Sequence, residues 1–487
     1  MNFCMYINGE LCSSSNKESV VIHSPFQNEE LGECPVATYE DCERAIAAAQ
    51  YSHKEGVWRN LSMEERTNKL TQLLQCMKTH MKQIAEIEAM DIGILIASAQ
   101  SNIEEAFINF ESYLTSAWKI NLKEKVESNY RETGAKSWVI REPYGVCGII
   151  LPWNYPFDIV INKLVPALLM GNTVVIKPSL LAPCSLLYLG ELLEEIQFPK
   201  GVINIVSGGD EVGKYLVEDK RVKLISFTGS TAAGKDIYIK SAKTFKKLIL
   251  ECGGNSPFII WNDVNIKKVI ESLLTSILPH SGQVCVASRR VLVHEEIYDK
   301  VVKYIKVRMN FVQYIKDRSE EINLFPIEPM INEEQMLYIH GQVCENIKQG
   351  AKIECGGEYI LEGNGECFYK PTLLTNISSN MSAFQEEIFG PVLALIKFSD
   401  ETEVVNLVNS SDYGLTSSIW TEDMEVAQRI ARELHCGSTY INTTLFETHN
   451  DFAPFGGYKL SGMGREHGIY GLYEYVQIKH LLVKQNE

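Results

Sequence analysis

Apolar residues recur along the chain with two different periods, and the first is helical. Ser62-Met63-Glu64-Glu65 has the form of a capping box, in which the serine hydroxyl accepts from the N3 amide and the N3 glutamate reaches back. Leu70, Leu73, Leu74, Met77, Met81 and Ile84 follow at three- and four-residue spacing, which predicts an amphipathic helix packed on a core. Ahead of it, Tyr6-Ile7-Asn8-Gly9-Glu10 reads as a short strand turning at Asn8-Gly9.

From about residue 145 the pattern changes to short β-branched or apolar runs separated by helix-length segments: Val146–Leu151, Thr173–Ile176, Val202–Val206, Lys223–Phe227 and Lys247–Leu250. Strand, helix, strand at this rhythm predicts βαβ units and a parallel sheet. A second series, Arg290–His294, Val392–Ile396 and Leu415–Ile419, predicts another α/β domain. Ligands of such sheets bind outside the carboxyl ends of the strands, so the loops that follow strands are where chemistry belongs.

Composition narrows the classes of function. Of 487 residues, 45% are hydrophobic and 22% charged, an ordinary globular balance with volume for two or three domains of roughly 150 residues. Lys and Arg number 46 against 62 Asp and Glu, a formal charge of −16 that repels phosphate backbones and anionic lipid. Neither nucleic acid nor a membrane is an expected partner. Apolar stretches such as Tyr144–Trp153 stop well short of the roughly 20 residues that span a bilayer. The N-terminus lacks the basic and apolar regions of a signal peptide, so the cytoplasm is the expected compartment. Thirteen cysteines spread over so long a chain read as reduced fillers. Without a C-x-x-C pair or a His cluster, no metal site is expected. What composition leaves open is whether one cysteine differs from the other twelve.

Several loops carry candidate chemistry. Leu151-Pro-Trp153-Asn154-Tyr-Pro156 follows a strand; Pro156 suits a first helical turn, and Asn154 reads equally as a helix cap or as an amide donor at the strand end. Lys177-Pro-Ser179 places a lysine at the next strand end. Gly208 and Gly209 let backbone amides approach an anion, as a tight β-to-α turn also would. Gly229-Ser230-Thr-Ala-Ala-Gly234-Lys235-Asp236 nearly forms a P-loop, but Asp236 stands where the magnesium-binding hydroxyl belongs, so a nucleotide hydrolase is rejected. Gly229 and Ser230 are read as a helix N-terminus facing a pyrophosphate. Glu251, leaving an apolar strand beside Gly253 and Gly254, is a candidate general base with a structural hydrogen bond as the competing account. His280-Ser-Gly-Gln-Val-Cys285 puts a cysteine in a glycine-containing loop, where backbone amides would stabilise a thiolate.

Taken in order, Pro152-Trp-Asn154, Lys177-Pro-Ser179, Phe227-Thr-Gly-Ser230, Glu251 with Gly253-Gly254, Gly282-Gln-Val-Cys285, Glu387-Ile-Phe389-Gly-Pro391 and Pro454-Phe-Gly-Gly-Tyr-Lys-x-Ser-Gly-x-Gly-Arg-Glu466 make the chain resemble the NAD(P)-dependent aldehyde dehydrogenase superfamily over nearly its whole length. The resemblance implies that Cys285 is the nucleophile, Asn154 the oxyanion donor, Glu251 the hydrolytic base, and Lys163 with Glu466 a proton relay. It implies a cofactor site of Trp153, Lys177, Ser179, Leu180, Gly208, Gly209, Phe227, Gly229, Ser230, Glu387 and Phe389, binding NAD or NADP. The substrate would be a small aldehyde, oxidised to the acid through a cysteine thiohemiacetal and thioester.

The family's architecture implies a Rossmann-like cofactor domain over 1–120 and 143–251 and an α/β catalytic domain over 252–452. It adds a small β oligomerisation flap at 121–142 with the C-terminal segment 466–487, in a homodimer or homotetramer. The flap would pair with the C-terminal strand Tyr475–Lys484, an edge strand seeking a further partner from another subunit. Leu180 stands where NAD-preferring members commonly carry glutamate, which removes the main electrostatic bar to NADP. The loop after Val206 is one residue short, and Cys252 and Asn255 also depart from the family pattern. Asp158, Asn162, Phe446, Glu447, His449 and Phe452 are read either as favouring a polar aldehyde or as pointing into solvent. Three other readings stand beside this one: a CoA-acylating dehydrogenase, disfavoured by Glu251; a papain-like hydrolase using Cys285 and His280; and a catalytically silent binding or structural protein.

Overall fold

The protein is seen in a computed structural model that describes residues 2–127, 135–322, 324–363 and 365–484. Every β-branched run of the first series forms a strand. They lie in the order Ile203–Ile205, Thr173–Lys177, Val146–Ile150, Val222–Thr228, Lys247–Glu251, all parallel. Numbered along the chain this is 3-2-1-4-5, the order of a Rossmann-type half, and its direction reverses between Val146–Ile150 and Val222–Thr228. Burial on both faces explains the unbroken apolar sequence: all five residues of Thr173–Lys177 are buried, the terminal lysine included. The hairpin Met5–Ile7 and Glu10–Cys12 caps one edge, with Asn8 and Gly9 at φ 54° and 83°, the left-handed conformation of a two-residue turn. Gly462–Met463 caps the other edge, antiparallel to Leu250 and Glu251.

The second sheet runs Lys352–Cys355, Thr372–Thr375, Val392–Phe398, Ser288–His294, Ser256–Ile260, Thr416–Trp420, Ser438–Ile441, parallel apart from the first pair. The strand Ser256–Ile260 escapes a pattern reading because Pro257 cannot donate to a ladder. The register shifts at that residue, and the pairing continues beyond it.

Helices between residues 39 and 117 complete the first body. Ser62 and Glu65 form both halves of the expected capping box, at 3.1 and 2.7 Å. The single helix expected through Ile84 is two, Met63–Thr79 and Met81–Ile92, joined at His80. Trp58, fully buried, donates from its indole to Leu168 O at 2.8 Å and anchors these helices to Pro156–Leu169.

A third sheet joins the segment expected as the flap to the C-terminal strand. Lys123–Val126, Lys136–Pro143 and Val476–Val483 pair antiparallel within one chain, in register from Val476 with Pro143 to Val483 with Lys136. The C-terminal strand is an edge strand, paired on one side with Lys136–Pro143 and open on the other. Residues 466–475 are not part of that sheet: Gly468–Glu474 is a helix packed on Ile96–Ala117 and Pro156–Leu169, and buried Tyr475 donates to Ser226 Oγ at 3.0 Å. Residues 128–134 of the expected flap and 485–487 of the C-terminal segment lie outside the described residues. Among the described residues, no helix is long and apolar enough to cross a membrane.

Candidate active site

The carboxyl end of Val146–Ile150 delivers Trp153 and Asn154 at the reversal point of the first sheet. Tyr155 is the N-cap residue and Pro156 the first helical residue, so Asn154 is not a cap. Its buried amide donates to Gln283 O at 3.0 Å, two residues before Cys285, and the second amide hydrogen remains for an incoming oxygen. This contact joins the two sheets at the point where the resemblance places nucleophile and oxyanion donor.

The loop holding Cys285 is bent against its own preference. His280, Ser281 and Gly282 take φ of 49°, 50° and 73°, left-handed conformations costly for the first two. A Cβ on Gly282 would lie 2.5 Å from the Gly390 backbone, and one on Gly254 would lie 2.0 Å from Cys285 O, so only glycine fits either place. Two buried charges hold the bend. Arg289 uses all five of its donors: Nε to Ile388 O (2.7 Å), one terminal nitrogen to Ala287 O and Glu387 (3.2 Å each), the other to Gly282 O (2.6 Å) and Val284 O (2.9 Å). Glu328 accepts from His280 N at 2.7 Å and Leu95 N at 3.2 Å, while its carbonyl accepts from the Ser281 hydroxyl. Burial raises the Glu328 carboxyl to about 7, against the pull of those two amides. Pattern reading missed both residues. Their partners lie far away in sequence or on the main chain, where no side-chain motif records them.

Cys285 is half-buried. Burial raises its thiol to about 12, Glu387 and Glu251 add to this, and Arg289 and the residue's own amide oppose it. These surroundings favour the neutral thiol over the thiolate. The local positive charge is already committed to Glu387 and to carbonyls. His280 does not serve as its base. Its ring packs edge-on to Tyr155 at 5.3 Å and Trp153 at 6.1 Å, and burial lowers its pKa to about 3. No hydrogen bond joins it to Cys285 among the described residues, so the papain-like arrangement is not formed.

Glu251 ends the last parallel strand of the first sheet, and among the described residues both its buried carboxylate oxygens have no hydrogen-bond partner. Burial first, then the Glu466 carboxylate, holds it well above the usual range, while Lys163 and Arg465 pull it down. Among the described residues, the structural hydrogen bond offered as an alternative role is not formed. Lys163, fully buried in Pro156–Leu169, pairs with Glu466 at 2.5 Å. The segment from Phe455 to Glu466 folds around Glu251. Phe455 and Glu466 exchange backbone bonds at 2.9 and 2.7 Å, and Gly456 comes so close that its Cβ would meet Glu251 Oε1 at 2.9 Å.

On the cofactor face, Lys177 is buried at its strand end and, among the described residues, ion-pairs with no carboxylate; burial lowers its pKa, with Asp210 opposing. Gly209 caps Asp210–Glu218 with nothing within 4 Å of a Cβ position, whereas Gly208 abuts Val212 at 2.4 Å and serves packing. Ser230 accepts from Ala233 N at 3.2 Å as the N-cap of Thr231–Ser241, and Phe227 lies under Gly229, where a Cβ would meet its ring at 2.6 Å. The Ser179 hydroxyl accepts from Leu181 N at 3.2 Å, and Leu180 lies partly buried on the first core. Glu387 accepts from Gly254 N at 3.0 Å, and Phe389 meets Trp153 edge-on at 5.7 Å under the Arg289 guanidinium. An open glycine, two helix N-termini and a buried unpaired lysine at a Rossmann reversal fit a dinucleotide.

A parallel-sheet dinucleotide fold whose reversal point faces a scaffolded cysteine, an amide donor and an unpaired carboxyl defines a cofactor-dependent oxidoreductase with a thiol nucleophile. The profile of the aldehyde dehydrogenase family matches residues 12–481, and the chain belongs to that family. It is 36% identical over 492 residues to betaine aldehyde dehydrogenase of Bacillus subtilis, covering 99% of this chain and 97% of that protein. To the NADP(+) succinate-semialdehyde dehydrogenase of Escherichia coli it is 32% identical, covering 98% and 97%. Among solved structures, betaine aldehyde dehydrogenase of Staphylococcus aureus in complex with NAD+ superposes with a TM-score of 0.95 at 33% identity, covering 100% of this chain and 96% of that one. The chain is thus an NAD(P)-dependent enzyme oxidising an aldehyde to the acid.

Proposed function

We propose that Cys285, Asn154, Glu251, Lys163 and Glu466 carry this reaction and that the substrate is an aldehyde bearing a positive charge. The sulfur of Cys285 attacks the aldehyde carbon, its proton leaving toward the site's carboxylates. The new oxyanion is held by the second hydrogen of the Asn154 amide and the Cys285 N–H. Trp153, Lys177, Ser179, Leu180, Gly208, Gly209, Phe227, Gly229, Ser230, Glu387 and Phe389 would hold the cofactor. Bound there, it supplies a hydride acceptor. Glu251 takes a proton from the water that cleaves the thioester. Its buried oxygens, unpartnered among the described residues, and its raised pKa suit a general base, and the Lys163–Glu466 pair lies within electrostatic reach to pass that proton on. A ready hydrolytic base argues against CoA acylation, and the three groups gathered in one site argue against a silent protein.

The charge preference rests on the carboxyl groups around Asp158, four residues past Asn154. Burial raises Asp158 to about 7, and Glu105, Glu466, Asp451 and Glu88 all add to the shift, so a bound cation would draw Asp158 into its carboxylate form. His449 is paired with Asp451 at 3.3 Å. Glu447 accepts from Ser272 Oγ at 2.6 Å. Relatives named for betaine aldehyde and for aminoaldehyde agree with this chemistry. The decisive comparison is trimethylammonioacetaldehyde against its neutral isostere 3,3-dimethylbutanal, followed by cofactor reduction. At least about tenfold higher kcat/KM for the cation is expected, from one uncompensated charge contact. Equal values defeat the charge preference, and activity surviving in Cys285→Ala defeats the assignment of the nucleophile.

The same reading makes the first sheet with its helices the cofactor domain and the second sheet the catalytic domain. The outward edge of Val476–Val483 and the exposed Ile478, Leu481 and Leu482 support a homodimer or homotetramer, and the cytoplasm is the compartment we assign.

A further inference from the structure

A second cluster of reactive side chains lies away from this site, where Met63–Thr79 turns into Met81–Ile92 beside the end of Cys184–Glu195. Cys76 and His80 are four residues apart and so share one helix face. Glu195 meets them from the neighbouring helix, with Oε1 3.8 Å from Cys76 Sγ and Oε2 3.1 Å from His80 Nε2. The three donor atoms all lie within 4.8 Å of one another. A tetrahedral ion holding nitrogen at about 2.0 Å and sulfur at about 2.3 Å sets adjacent donors roughly 3.5 Å apart, so small rotations suffice.

We propose that Cys76, His80 and Glu195 bind a divalent cation of the zinc class, with the fourth position open to water. The donor set decides the class: one sulfur, one imidazole nitrogen and one carboxylate suit a borderline-soft ion, whereas calcium and magnesium take all-oxygen shells. An independent observation supports the imidazole. The Tyr188 hydroxyl lies 3.0 Å from His80 Nδ1, the outer partner that orients a ligating histidine and leaves Nε2 for the metal. Cys76 is buried, while the His80 and Glu195 side chains are 30% and 57% exposed, so the pocket has an anchored base and an open mouth. Glu191 stands near Tyr188 and adds negative charge.

Binding replaces the Cys76 S–H bond with a sulfur–metal bond and releases one proton, so affinity falls as pH falls. The ion would pin the corner between two helices to Cys184–Glu195. Met81–Ile92 in turn bears Asp91, which accepts from Cys184 N at 2.7 Å, and Glu88, which accepts from Phe157 N at 3.2 Å. This departs from the expectation of no metal site, which considered only C-x-x-C pairs and clustered histidines. The third ligand comes from a helix distant in sequence.

The test titrates metal-free Cys285→Ser protein, in which the nucleophile no longer competes, with Co(II) and then Zn(II). One equivalent of cobalt giving a thiolate-to-cobalt charge-transfer band that zinc displaces is the expected result. Adding Cys76→Ser should abolish the band, and Glu195→Gln, a change at an exposed side chain, should weaken zinc binding at least tenfold while metal-free thermal unfolding stays unchanged. Absence of the band, its persistence in Cys76→Ser, or unaltered affinity in Glu195→Gln overturns the proposal.

Discussion

The two sheets present their loops to one crevice in different ways. On the cofactor face each loop is a short β-to-α turn shaped by its neighbours in sequence: Gly229 over Phe227, Ser230 capping its own helix, Gly209 opening the next. The nucleophile loop contradicts its local preferences, with His280 and Ser281 left-handed, and it keeps its shape through Glu328 and Arg289. Affinity for a common cofactor can be built from local turns. Aiming one sulfur at one carbon requires rigid support from elsewhere in the fold.

Breaking the nucleophile loop should have the larger effects. Cys285→Ala should lower turnover by about 10⁴-fold or more while cofactor binding, read by fluorescence titration, persists. Glu328→Gln keeps one acceptor but turns a donor toward the other amide. A fall in kcat of roughly 10²-fold, with cofactor KM unchanged, follows from a displaced nucleophile. An unchanged kcat would show that Arg289 alone holds the loop. Because the Cys285 thiol sits near 12, its thiolate fraction grows with pH across the accessible range. The rate of iodoacetamide alkylation in the cofactor-free enzyme should rise about tenfold per pH unit from 7 to 10, and a plateau near 7 would contradict the neutral resting thiol.

The cofactor face should respond more gently. Leu180→Glu introduces a carboxylate where a 2′-phosphate would lie, and the NADP to NAD ratio of kcat/KM should fall about tenfold. The smallest expected effect concerns stability. Glu88 and Asp91, buried on Met81–Ile92, are raised to about 8 and about 7 by burial. Groups whose folded pKa lies above the unfolded value stabilise the fold at low pH and lose that contribution as pH rises through 7–8. Thermal unfolding should therefore fall by a few degrees between pH 6 and 9, and Asp91→Asn should flatten the fall.

Much of the first sheet was readable in advance. Strands buried on both faces must be continuously apolar, and turns at their ends need glycine or a capping hydroxyl, so both leave marks within a few residues. Ser256–Ile260 was hidden by Pro257, and the helix break at His80 by an apolar stripe that continues across it. The resemblance to a known family supplied Lys163 and Glu466. Their pairing at 2.5 Å could not be read from composition, since the two lie on segments far apart in the chain.

By itself the sequence determined the α/β class, the parallel order of strand and helix, and the short list of residues able to act as nucleophile, base and oxyanion donor. It did so because periodicity, turn chemistry and functional-group identity are local. Tertiary structure decided the rest: that Asn154 is tethered to Gln283 and caps no helix, that the surroundings of Cys285 favour its thiol, and that Glu251 has no hydrogen-bond partner among the described residues. Each of these depends on burial or on a partner distant in the chain, and the electrostatic cost of burying a charge is set by everything around it.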